Sequence, residues 1–567
     1  YDFDFLAGTN TVTTGANSLL KVRSLANIST ITLGAGTNVQ DGGLILSGDA
    51  DENNGTLTMS AGTTTVKTGN YNVFTAGSIL KAESGGITNL TFGNANNVTI
   101  NGDIDSIGSL TIGGAQTVKN VGTYYSSLNI TGNITGQNGN ATAINIGSDL
   151  VTVTVEEEQT VRTAGAVVGG DIDLKEGKNT ISIGSRTVFS SGAVAGISAF
   201  TLANGTDGVE KTVAVIAGDY TAAGMANTIK ICNFAEMTIQ GDLNNGSTAD
   251  GSFGTTLTLG SSAAFSTLND DGLTYGTLNH LAGVTIAGGT DGKSTVSVFD
   301  SGSITGVSAA VKINIGALSE MNVHGGIELD AGANQITIAA KAALNIDKNK
   351  AVSGIQTLTL SAGGTFYAAP EGAVPGTGEK TALARATMSM EGTYTGAEDA
   401  ASKINVGNYG RLFLKKGIGT RTSGSTYALT LGNAAAFGAG TNALYNISAI
   451  TAGSMATLTD AFTTDVPVGQ NPGPGNVTAV KLKWNYASSF VSGAVSGLNG
   501  VDKLAFGSNM LDTTVISTQL GFDAALVSET FQESDRDYLT GVRIQGAVNL
   551  YGGNDTVSIG TNTNLTV

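Results

Sequence analysis

Proline, cysteine, tryptophan and histidine are close to missing: 567 residues hold 5 Pro, 1 Cys, 1 Trp and 2 His. Each shortage removes a class of protein. With 81 Gly, so little Pro and no G-X-Y period, the chain is not a collagen. A single cysteine excludes an intramolecular disulfide framework. Within Ile229-Lys230-Ile231-Cys232-Asn233-Phe234, Cys232 reads as a small buried hydrophobe. His280 and His324 are too far apart for zinc-ligand spacing and read as surface or corner residues. Basic residues are short too, 28 against 45 acidic for a net charge of −17, which sets the chain against nucleic acid as a partner. There is no uncharged apolar run of about 18 residues, so no transmembrane segment is expected. P-loop and G-x-S-x-G motifs are missing as well. No signal peptide is recognisable, and residue 1 is Tyr rather than Met, which points to a processed product or an excised segment.

What remains is strand and corner material. Apolar residues make up 40%, too many for a disordered Gly/Ser linker. Val, Ile and Thr suit a pleated sheet, and Asn and Gly suit the turns between strands.

A unit recurs. Its first half is an apolar–polar alternation ending at a Gly corner: LILSGDA at Gly48, TVKTGNY at Gly69, VTINGDI at Gly102, LNITGNI at Gly132 and AVVGGDI at Gly170. Further copies are VAVIAGDY at Gly218, MTIQGDL at Gly241, MNVHGGI at Gly325 and MSMEGTY at Gly392. Its second half is a short strand ending in Gly or Ala, at Gly113, Gly147, Gly184, Gly260, Ala339 and Gly407. Alternation gives a strand with one buried face; Gly with Asp or Asn turns the corner. This predicts an all-β fold: a long parallel β-solenoid (β-helix) of degenerate coils, with a less regular β-rich C-terminal part. The 21 residues from Gly48 to Gly69 and 23 from Gly218 to Gly241 fit one coil, while wider gaps require insertions. About 15 coils at ~4.8 Å each would give a rod on the order of 70 Å over residues 1–365. Stacked β-sandwiches are the competing architecture. All five prolines fall between Pro370 and Pro474. The expected domains are therefore a solenoid over 1–365, a Pro-containing transition region with loops over 366–475, and a C-terminal β-rich module over 476–567. The last contains Trp484 and the segment FQESDRDYL, a short helix or polar loop. ADENNG near Asp49 and NNGSTADGS after Leu243 are expected to be loops bulging from coils.

With corners such as Gly69-Asn70-Tyr71, Gly218-Asp219-Tyr220 and Gly392-Thr393-Tyr394, the rungs resemble the passenger regions of bacterial autotransporters and other secreted β-solenoid adhesins. Gly552-Gly553-Asn554-Asp555-Thr556-Val557 resembles the calcium-binding nonapeptide repeats of RTX proteins, exported proteins that include some surface-layer subunits; here a single shortened copy is present. The resemblance implies an extracellular place on the bacterial cell surface and Ca2+ bound by Asp555 and Asn554.

Other acidic pairs offer hard-cation oxygens: Asp103 with Asp105, Asp171 with Asp173, Asp49 with Asp51, and Asp270 beside Asp271. The alternative is that they are solvated residues flanking inward Ile104 and Ile172. Asp103 and Asp171, stacked in neighbouring coils, would be the carboxylates of a polysaccharide-processing β-helix enzyme, but few basic residues and no aromatic platform accompany them. Glu156-Glu157-Glu158 interrupts the strand VTVTV as a charged loop or gatekeeper. The expected function is not enzymatic. It is that of a structural protein self-associating with copies of itself into a surface layer or fibre. The alternatives are an adhesin for cell-envelope glycans or a host surface, then the enzyme.

Overall fold

The computed structural model describes residues 1–567 except 7, 38–40, 49–54, 82–85, 157–158, 246–252, 290–295, 330–331, 369–379, 421–423, 455, 465–477, 487, 509 and 511–540. Among the described residues there are strands and turns but no α-helix. The expected loop ADENNG, the Asp49–Asp51 pair, the loop QNPGPGN and the segment FQESDRDYL lie wholly or mainly outside the described residues. So does most of NNGSTADGS.

Two compact units are present: residues 1–283 with 297–302, and residues 284–296 with 303–567. Each is a stack of three-strand coils. One coil of the first unit illustrates the plan. Asn97–Ile100 forms face 1, the chain turns at Gly102, and Ile104 bridges both neighbouring coils on face 2. Ile107–Ile112 then forms face 3. Every face pairs in parallel with the coils on either side. Parallel pairing rules out the sandwich alternative, whose sheets are antiparallel.

Register aligns like with like, so side chains stack in columns. On face 3, Leu90, Leu110, Ile144, Ile181, Phe200, Ile229 and Leu257 are successive partners, all buried. On face 1 the column alternates in size: Leu128, Ala166, Phe189, Ala214, Met237, so small residues leave room for large ones above and below. Each buried Leu, Ile or Phe contributes about 1.5–3 kcal/mol relative to exposure. One face of each strand is thereby fixed inward, and a one-residue slip would expose a whole column.

The second unit repeats the plan well beyond residue 365. Its face 1 includes Ala342–Ile346, Thr387–Met390, Arg411–Leu414, Ala436–Gly438, Ser489–Ser492, Val542–Ile544 and Leu565–Thr566, each paired in parallel with the next. The described face 1 strands within 366–475 and 476–567 continue the same parallel pairing. The five prolines lie outside the described residues.

Repeat spacing also needs correction. Gly69 ends a face 3 strand, Thr64–Thr68, whereas Gly48 and Gly102 follow face 1 strands. The glycines equivalent to Gly48 and Gly102 include Gly77 and Gly192, which follow Asn72–Ala76 and Val188–Ser191. With these in place the 54 residues from Gly48 to Gly102 divide into 29 and 25, and the 48 from Gly170 to Gly218 into 22 and 26.

Four antiparallel hairpins leave the coils among the described residues. They pair Gln116–Val118 with Gly122–Tyr124, Val151–Glu156 with Gln159–Ala164, Gly364–Ala368 with Lys380–Ala384, and Ala456–Thr464 with Thr478–Tyr486. In both units they emerge at the same place, between face 3 and the next face 1. Glu156 ends one arm of the second hairpin, so the strand VTVTV is a hairpin arm rather than a rung; Glu157 and Glu158 lie outside the described residues.

Candidate functional site

The acidic corners between faces 1 and 2 form a hydrogen-bond ladder that climbs from coil to coil. Ser78 Oγ accepts the Asp103 N–H at 3.2 Å, Asp103 Oδ1 the Asn133 N–H at 2.7 Å, Asn133 Oδ1 the Asp171 N–H at 2.8 Å, and Asp171 Oδ1 the Ala193 N–H at 2.8 Å. Higher in the same unit, Asp219 Oδ1 accepts the Asp242 N–H at 2.9 Å and Asp242 Oδ1 the Thr277 N–H at 2.7 Å. The corner needs an acceptor; Asp, Asn and Ser all supply one, so charge is optional.

Glycine at these corners is the other half of the rule. A Cβ on Gly132 would strike Asp103 Oδ1, and one on Gly170 would lie 2.5 Å from Asn133 Oδ1. Neither glycine has a left-handed φ, so what selects it is the close approach of the coil below: its corner oxygen, and the backbone of Gly102 or Gly132 at 2.5–2.7 Å.

The corners between face 3 and the next face 1 use the same device. Asn204 Oδ1 accepts the Asn233 N–H at 3.0 Å, and Asn233 Oδ1 the Ser261 N–H at 2.8 Å. In the second unit the series Asn408, Asn433, Ser454, Ser508 and Thr561 is joined by four such bonds of 2.8–3.1 Å. The next residue in these corners is left-handed even when it is not glycine: Ala95 (φ 54), Phe234 (φ 52), Leu318 (φ 54), Lys341 (φ 62) and Tyr409 (φ 63). That conformation costs such residues roughly 1–2 kcal/mol each and is held by the bonds around it. Between faces 2 and 3, buried Asn179 accepts the Thr142 N–H at 2.8 Å and donates to the Leu174, Lys175 and Gly196 carbonyls.

The candidate cation ligands therefore have other partners. Asp103 is exposed and Asp105 half-buried; Asp105 Oδ1 accepts the Thr135 hydroxyl at 3.2 Å. Asp173 pairs with Lys175, and Asp171 lies in the ladder. Asp271 accepts the Leu273 and Thr274 N–H groups at 2.9 Å each, which hold its carboxyl below the usual range. Asp270 lies 3.5 Å from the Gln240 amide. Among the described residues no three or more His, Cys, Asp or Glu side chains form a group able to hold a metal ion.

Asp555 differs from these. Its Oδ1 accepts the N–H of Asp502 at 3.0 Å, and Asp502 is buried with its own Oδ1 unpartnered. Burial raises the Asp502 carboxyl above its ordinary range; the Leu498 N–H opposes this and the Asp555 charge adds to it. Asn554 is exposed beside it. His324 Nδ1 lies 3.1 Å from Asp347 Oδ2 in the adjacent coil. His280 sits in strand Leu278–Ile286 with a left-handed φ of 58. Cys232 is half-buried at a corner position that elsewhere holds Gly.

The three Tyr corners separate into two kinds. Tyr220 and Tyr394 are inward and buried, while Tyr71 stands at the hairpin-bearing corner, its ring 5.8 Å from Tyr124. An aromatic pair thus exists on the solenoid, Tyr71 with Tyr124, and exposed Tyr125 follows it in the chain. Its signal in the sequence is the adjacent pair Tyr124-Tyr125 just before a face 1 strand. Comparison with protein-family models, curated proteins and solved structures gave no match.

Proposed function

We propose that the chain is a structural protein of the bacterial cell surface that associates with copies of itself into a layer or fibre. One observation carries this reading: the recurring carboxylates and carboxamides, the groups on which chemistry would depend, accept backbone N–H groups of the next coil. Such a chain acts by persistence of shape, and the acidic surface favours solubility outside the cell. Calcium finds its best support at Asp502 and Asp555, where a buried carboxylate oxygen lacks a partner; two carboxylates still fall short of the 6–8 oxygens the ion takes, so further donors would be needed. Polysaccharide cleavage is the weaker reading. Asp103 and Asp171 lie two coils apart, about 9–10 Å, with Asn133 between them and one oxygen of each tied to backbone.

Electron microscopy of the purified chain over a concentration series, with calcium and with chelator, tests the proposal. Ordered sheets or filaments are expected. Dispersed single particles at every concentration in both conditions would overturn it.

A further inference from the structure

Two hairpins of the first unit leave adjacent coils at the same corner: the face 3 strands that precede them, Ile107–Ile112 and Ala143–Ile146, are direct partners. Between the hairpin bases lies a cavity of about 290 Å³, lined by Tyr125, Ser126, Ser127, Val151, Thr152 and Gly165. That volume is just below the roughly 300–1,000 Å³ of small-molecule sites, with room for one sugar-sized ring.

The walls are held in place. Ser126 Oγ donates to the Gly114 carbonyl at 2.9 Å and accepts the Asn96 N–H at 3.2 Å; Ser127 Oγ donates to Asn97 Oδ1 at 2.7 Å. Arg162 secures the second hairpin by donating to the carbonyls of Arg186 at 2.6 Å and Lys211 at 3.2 Å. Tyr125 keeps 47% of its surface exposed, and Thr152 is exposed beside it. None of the six lining side chains carries a charge, in a chain whose net charge is −17. An aromatic face, hydroxyls and a neutral, half-open cavity match the apolar face and hydroxyl rim of an uncharged pyranose. The nearest cation, Arg186, whose charge reaches Tyr125, is held by Asp149 through two hydrogen bonds of 2.6 and 2.8 Å, so an acidic sugar would find no free cation here.

We propose that this cavity is a binding site for the terminal residue of a neutral glycan, with Tyr125 as its stacking platform and Thr152 as a polar contact. The site stands whether or not the chain self-associates.

Saturation-transfer NMR on the full chain tests it, with the methyl glycosides of glucose, galactose, mannose and N-acetylglucosamine and with N-acetylneuraminic acid as the charged probe. At least one neutral glycoside is expected to bind. Tyr125→Ala should weaken it on the order of tenfold, while Tyr125→Phe and Tyr551→Ala should leave it within about twofold. Unchanged circular dichroism in each variant shows that the coils persist; if Tyr125→Ala perturbs them, Thr152→Val on the opposite wall is read instead, with a severalfold loss expected. No signal from any neutral glycoside, equal binding by the wild type and the wall variants, or preference for the acidic sugar would each overturn the proposal.

Discussion

If the corner glycine is dictated by the oxygen below it, the two positions must be energetically coupled, and Gly102 with Ser78 gives the cleanest pair. A Cβ on Gly102 would collide with Ser78 Oγ, whereas the next nearest atoms, the Gly77 backbone O and C, stand at 3.1 and 3.3 Å. The φ of Gly102 is not left-handed, so alanine meets no conformational barrier there. Gly102→Ala alone must displace the hydroxyl that accepts the Asp103 N–H, and overpacking of this kind costs about 1–3 kcal/mol. Ser78→Gly alone loses one partly solvated hydrogen bond and adds chain entropy, about 1 kcal/mol. In the double variant the collision is gone and alanine stiffens the unfolded chain, so the second substitution should cost close to nothing. The expected coupling is about 1–3 kcal/mol. Hydrogen exchange at Ile104 and Asp105 reads it locally, because their N–H groups donate across coils to Asn133 O at 2.8 Å and Ile79 O at 3.0 Å. Each 1.4 kcal/mol is a tenfold change in protection. Additive effects, within about 0.3–0.5 kcal/mol, would refute the pairing of glycine with acceptor.

Three further outcomes are expected. Tyr394→Phe should stabilise its coil by about 1 kcal/mol, because the buried hydroxyl lacks a partner; Tyr220→Phe should cost about as much, because its hydroxyl donates to Asn227 Oδ1 at 3.2 Å. Thermal unfolding of the two variants side by side checks this. Asp502, whose carboxyl is raised above its ordinary 3.8, favours the fold when protonated, so its contribution is complete below 3.8 and lost as pH rises through the raised value. Exchange at Thr556, which donates to the Asp502 carbonyl at 2.9 Å, should accelerate over that window beyond the intrinsic rate, and Asp502→Asn should flatten the dependence. Lys81, lowered to about 8 by burial, should make Lys81→Met more stable than the wild type below that pH, an advantage that shrinks as pH rises through 8 toward 10.5; chemical denaturation at pH 7 and pH 10 measures it.

Alternation made the coils legible in the sequence. Val98, Ile100, Ile104, Leu110 and Ile112 all point inward and are buried. It did not distinguish the faces: Thr64–Thr68 and Asn97–Ile100 have the same local pattern, and only pairing across coils shows that Gly69 and Gly102 turn different corners. Hairpins were hidden for the same reason, since the Val151–Glu156 arm alternates as a rung does while its partner is its own neighbour. The substitution of Asn133 for an acid in the repeat already indicated that charge was dispensable. What the acid accepts, an N–H of the following coil, is a contact between residues some thirty positions apart and has no local trace. The left-handed Phe234 and Leu318 are equally silent, because local propensity argues against them and the coil stack overrides it.

The central claim is that the corner acids serve as acceptors rather than as charges, and one variant addresses it: Asp103, Asp171, Asp219 and Asp242 replaced together by Asn. Each replacement keeps an Oδ1 where the next coil's N–H arrives, so exchange at Asn133, Ala193, residue 242 and Thr277 should stay within about fivefold of wild type, with and without calcium. Loss of protection at these four amides, or a difference that appears only with calcium, would contradict the account.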